Sequence, residues 1–107
     1  MSDLPKPYRR FTKEFPAVSE AFDRLGAAAH DSGPLDVKPR VLVKLALAIG
    51  AHSRGAVHSH THRAAALGIS PAEIKHVVVL AVTTLGLPGA MAAYTWVNDV
   101  LDAADAT

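Results

Sequence analysis

Residues Val41–Ile49 read Val-Leu-Val-Lys-Leu-Ala-Leu-Ala-Ile, apolar on almost every side, with Lys44 the single charge in the run. Together with Arg40, Gly50 and Ala51 the stretch is longer than an ordinary strand and fits about three turns of helix. Asp36 can cap it, with Lys38 and Pro39 in the first turn. A helix apolar on every side has to sit at the centre of a fold, so the rest of the chain is expected to wrap around it.

The flanking sequence supplies that wrapping as further helices. Pro16 suits a first helical position, and Val18, Phe22 and Leu25 then repeat at helical spacing, which predicts a helix from Pro16 to about Ala29. Gly33-Pro34 breaks it. Gly50 and Gly55 bracket a second break, after which a helix runs from about Ala56 to Leu67 and stops at Gly68. Ser70-Pro71-Ala72-Glu73 is a capping box with Pro at the first helical position, and it starts a helix reaching about Leu85. Gly86-Leu87-Pro88-Gly89 makes a turn, and a last helix spans about Ala90 to Ala103, with Met91, Tyr94, Val97 and Leu101 on one face; Tyr94 and Trp96 read as core residues. The fold class is therefore all-α, a compact bundle of about five helices. Residues 1–14, with Pro5, Pro7 and several charges, read as an extended N-terminal arm, and residues 15–107 as a single all-α domain.

Composition removes several kinds of function. The chain has no cysteine, which excludes disulfides, thiol nucleophiles and thiolate metal sites. Its formal net charge is +1 and its basic residues form no stripe with interleaved aromatics, so no nucleic-acid partner is expected. The longest apolar stretch, Val77 to Leu87, is interrupted by Thr83 and Thr84 and is too short for a bilayer, so no membrane partner is expected. Residues 1–15 are polar and carry no secretory signal, and the expected location is the cytoplasm. At 107 residues the core is small enough that self-association is expected.

Four of the six histidines, His52, His58, His60 and His62, fall within eleven residues at the second break and the helix after it. Histidine titrates near neutral pH, so the cluster is a candidate for proton transfer. His60 shares a helical face with Val57, Ala64 and Leu67; it is either a hydrogen-bonded core histidine or a general acid/base. His58 and His62 lie four apart, a spacing that can hold a metal if a third ligand exists, but also that of an ordinary surface pair. Lys44 is either a carboxylate anchor or a lysine at a helix edge. His76 shares a face with Glu73, Leu80 and Thr83 and is a second candidate proton carrier or a surface histidine.

These pieces occur in a telling order. Gly33-Pro34-Leu35-Asp36 precedes the apolar helix, and a glycine-broken junction at Gly50 follows it. Next come His60 with Arg63-Ala64-Ala65, then Leu67-Gly68-Ile69-Ser70-Pro71-Ala72-Glu73-Ile74, then Gly86-Leu87-Pro88-Gly89-Ala90. From about Gly33 to Leu101 the chain resembles the carboxymuconolactone decarboxylase and alkyl hydroperoxidase D-like family. That resemblance implies an all-α fold assembled as a trimer or hexamer. The family's peroxidase branch carries Cys-x-x-Cys-x-x-x-His and a glutamate one helix earlier. With His60 on the family histidine, Ser53 and Ala56 stand at the cysteine positions and Val41 near the glutamate. A serine cannot form a disulfide, so dithiol peroxidase chemistry is excluded. The decarboxylase branch is similar in lacking the cysteines and keeping the histidine. By resemblance, then, the expectation is a lyase-type, cysteine-free relative working by acid/base chemistry on a small carboxylated lactone or related metabolite, without metal or cofactor. The alternative is a non-catalytic, oligomeric binding or structural descendant. The candidate residues are His60 and His76 for catalysis, and Lys44 and Ser53 for binding the carboxylate substrate.

Overall fold

The computed structural model describes residues 6–105, and these form six α-helices with no strand among them. The all-α reading holds. The chain divides into two compact units, one ending at Asp36 and the other running from Val37 onward. The division falls inside the stretch expected to be one domain.

The first unit holds α1 (Lys6–Glu14) and α2 (Pro16–His30). The extended arm expected over residues 1–14 is instead helical from Lys6, and residues 1–5 lie outside the described residues. Pro7 does not oppose this, because it sits in the first turn, where a missing N–H leaves no bond unmade. Phe11 and Phe15 then pack ring to ring at 5.4 Å. Only Phe15 separates the two helices. The Phe15 N–H donates to the Phe11 carbonyl at 2.8 Å as the last bond of α1, and Ser19 N–H to the Phe15 carbonyl at 3.1 Å as the first of α2, while Phe15 itself, at φ −128° and ψ 65°, breaks the helical path between them.

The second unit holds α3 (Val37–Gly50), α4 (Arg54–Ala66), α5 (Pro71–Leu85) and α6 (Leu87–Asp105). Helix α3 packs on α4 and α5, and α6 covers the same two helices. Each contributes residues at helical spacing to one core: Val41, Leu45 and Ile49; Val57 and Ala64; Ile74, Val78 and Ala81; Ala90, Ala93, Val97 and Leu101. The alanines at these crossings shorten the approach between helices. Thr61 is also fully buried, and its hydroxyl donates to the Val57 carbonyl at 2.7 Å, so that hydroxyl is not stranded.

Local chemistry sets each junction. The α4 end is a Schellman turn around Gly68 (φ 79°), with Gly68 N–H donating to the Ala65 carbonyl and Ile69 N–H to the Ala64 carbonyl. The four-residue turn expected at Gly86–Gly89 is shorter. Gly86 alone, at φ 90° and ψ 159°, links α5 to α6, and Leu87, Pro88 and Gly89 form the first turn of α6. Pro88 fits there for the same reason as Pro7. The capping box forms in full, with Glu73 N–H donating to the Ser70 hydroxyl and Ser70 N–H to the Glu73 carboxylate.

Helix α3 departs from the expectation of burial on every side. Val41, Leu45, Ala48 and Ile49 are buried, whereas Val43 and Leu47 are exposed, Leu47 to 64%. Tyr94 on α6, expected in the core, is exposed as well, as is Met91. No helix among the described residues is long and apolar enough to cross a membrane.

Candidate functional site

The exposed apolar face of α3 forms one wall of a cleft. Leu42, Val43, Ala46, Leu47 and Gly50 line it from α3, and Glu73, His76, Val77, Leu80, Thr84 and Leu85 from α5. Its volume of about 670 Å³ lies within the range of small-ligand sites, about 300–1,000 Å³. The lining is mostly hydrocarbon, with Glu73, His76 and Thr84 as its polar side chains.

One end of this cleft is fixed electrostatically. The Lys38 ammonium pairs with Glu73 Oε2, tying the first turn of α3 to the first turn of α5. The Ser70 hydroxyl also donates to Glu73 Oε1 at 2.9 Å. The bond from Lys38 and those from the Ser70 backbone and hydroxyl all favour the carboxylate, and hold its pKa down at about 2 against an ordinary 4.5. A carboxyl depressed in the folded state adds stability above its ordinary pKa and loses it as pH falls toward the folded value. Glu73→Gln is therefore expected to cost stability at neutral pH, with the gap from wild type closing between pH 4.5 and about 2. Denaturant midpoints across that range check it; a gap independent of pH would mean that the charge is not what the capping box uses.

His76 lies one turn beyond Glu73, and of the six histidines it alone lines the cleft. The other candidates are elsewhere. Lys44 is exposed on α3 and does not line the cleft. His60 is half-buried on α4, beside the buried face of Val57, Thr61 and Ala64, and also outside the cleft. Ser53 is the N-cap of α4, and its hydroxyl accepts from Ala56 N–H at 3.3 Å. The two positions matched to the family's cysteines thus bond to each other to start a helix. Val41, near the glutamate position, is fully buried in the core. The structure brings His76 to the cleft and leaves His60, Lys44 and Ser53 apart from it.

His58 and His62 do not act as a pair. His58 Nε2 lies 2.9 Å from Asp99 Oδ2 on α6, while His62 is exposed. No group of three histidine or acidic side chains placed to hold a metal occurs among the described residues.

Nothing in the neighbouring residues points to the part His52 plays. Ser53 N–H donates to the Ala48 carbonyl and His52 N–H to the Ile49 carbonyl, a second Schellman turn. Here the left-handed residue is His52, at φ 57°, and not one of the neighbouring glycines. Its ring meets Trp96 edge-on, with centroids 5.3 Å apart. Histidine is among the residues enriched in this conformation, and the ring contact offsets part of its cost.

Comparison with known proteins now fixes the family. The profile of the Carboxymuconolactone decarboxylase family matches residues 16–99. The chain belongs to that family. A curated protein of Haemophilus influenzae, described as an uncharacterized protein, is 32% identical over 63 residues, which is 59% of this chain and 56% of that protein. The chain thus spans little more than half the length of that relative. No solved structure matches the chain. Within the carboxymuconolactone decarboxylase family this is a cysteine-free member.

Proposed function

We propose that the α3/α5 cleft binds a small carboxylated molecule with a largely hydrocarbon body, and that His76 transfers a proton to or from it. One observation carries this reading: a cleft of ligand size, apolar along its length, with a single histidine beside its polar end. Apolar walls favour the hydrocarbon part of a ligand, and an imidazole can donate to a carboxylate or to a neighbouring carbonyl. In a decarboxylation the bond to the carboxylate breaks and CO₂ leaves. The electron pair stays on carbon, delocalised into an adjacent carbonyl, and His76 delivers the proton that carbon takes up. Isomerisation of a lactone double bond uses the same group first as base and then as acid.

Ser53 and Val41 favour a second reading, a non-catalytic binding protein. Both stand at or near positions where relatives carry chemistry, and here one caps a helix and the other fills the core.

A thermal-shift screen of small carboxylates and lactones tests both readings, because a ligand raises the melting temperature by mass action. The expected result is a stabilising compound that no longer acts on His76→Gln, while His60→Ala retains the effect. Turnover of that compound by wild type and not by His76→Gln supports the enzyme; binding without turnover supports the second reading. A compound lost in His60→Ala and kept in His76→Gln would move the site to α4.

A further inference from the structure

We infer that the α3/α5 cleft holds a straight-chain carboxylic acid of roughly ten carbons, its carboxylate beside His76 and its tail running toward Gly50. This rests on the cleft being the ligand site and names the class of molecule it takes. Two rows of residues set its shape. Leu42, Ala46 and Gly50 on α3, and His76, Leu80 and Thr84 on α5, line the cleft at steps of four residues. Steps of four stay on one face of a helix. The Lys38–Glu73 pair ties the first turns of α3 and α5 together. Leu42 and His76, each about a turn further on, therefore stand at the same end of the cleft, with Gly50 and Thr84 at the other. At ~1.5 Å per residue each row runs about 12 Å. With C–C bonds of about 1.52 Å at angles near ~111°, an extended alkyl chain advances about 1.25 Å per carbon, so roughly ten carbons fill the rows. A compact lactone covers a single turn of each.

The two ends differ in a way that orients the chain. Glu73 is held ionised, but Lys38 and the Ser70 backbone and hydroxyl take up its carboxylate, so its charge is compensated. The half-exposed Lys38 ammonium and the His76 imidazole make this the end that suits an acid. At the other end the Thr84 hydroxyl donates to the Leu80 carbonyl of its own helix at 3.3 Å, so its proton is already used. The α3 row shrinks from leucine to alanine to glycine toward that end. A Cβ added at Gly50 would meet nothing within 4 Å, so the backbone there leaves space for a tail. None of the residues lining the cleft is Phe, Tyr or Trp. A flat ring finds no stacking partner among them, whereas leucine and valine walls suit an alkyl chain.

The test is calorimetric titration of the full chain with saturated straight-chain carboxylates from butanoate to tetradecanoate, with naphthoate as a flat acid of similar carbon number. Affinity is expected to rise about two- to fourfold per added methylene and to level off near decanoate, the lower figure applying to a chain half-covered in an open groove. Naphthoate is expected to bind more weakly than decanoate. Gly50→Leu fills the far end and Ala46→Leu the middle, both at exposed positions of α3 where circular dichroism can confirm folding. The levelling-off is expected to move to shorter acids in the first variant and to shorter ones still in the second. Lys44→Leu, on α3 but outside the cleft, is expected to keep the wild-type series. Affinity independent of chain length, naphthoate binding more tightly than decanoate, or a series that neither cleft variant shifts overturns the inference. If lactones or short acids bind without any gain from a longer chain, the inference fails and the cleft reading stands. If no carboxylate or lactone binds, both fall.

Discussion

Leu45→Ala is expected to destabilise the protein by about 2–5 kcal/mol, the range for a leucine removed from a core that cannot collapse around the gap. Leu45 is 0% exposed at the centre of α3. Val41 and Ile49 lie one turn to either side, and the other core helices close around it. Two residues along the same helix, Leu47 is 64% exposed and borders the cleft. Leu47→Ala removes the same atoms but leaves no enclosed void, and its expected cost is within about 0.5 kcal/mol. Denaturant unfolding of both variants at one protein concentration makes the comparison, since association adds to apparent stability. Similar losses would show that α3 turns a different face to the core.

The second large effect comes from backbone alone. Gly86 has φ 90° and ψ 159°, a region open essentially to glycine. A Cβ added there would meet only Pro88 Cδ at 3.9 Å, an ordinary contact, so no steric clash confuses the measurement. Gly86→Ala is expected to cost about 1–3 kcal/mol. Gly89→Ala is the control: its Cβ would also make ordinary contacts, and its φ is not positive, so no loss is expected. If both substitutions behave alike, the α5–α6 junction is not held by this conformation. Because Gly86 is the whole link, its angles alone set the direction in which α6 leaves α5.

Features written in neighbouring residues were legible in the sequence. The capping box at Ser70–Glu73 and the stop at Gly68 each depend on a few adjacent side chains, and both formed as read. Hydrophobic pattern was a poorer guide, because it counts apolar residues without saying what covers them. The run Val41–Ile49 reads as wholly internal, yet half of it lines an open cleft. Charges and prolines misled over residues 6–14, where Pro7 falls at the one place a helix tolerates it. The cleft itself is invisible locally, since Leu47 and Leu80 come to line one space only when α3 packs on α5. Histidine density points to His60, while the histidine at the cleft is the isolated His76.

The contact between His52 and Trp96 carries a practical benefit. Trp96 is the chain's only tryptophan, and the ring at its edge belongs to the residue immediately before Ser53. The protein therefore has a built-in fluorophore stationed at the bend between α3 and α4. Any rearrangement of that bend changes what the indole touches, and emission from a single unlabelled side chain records it.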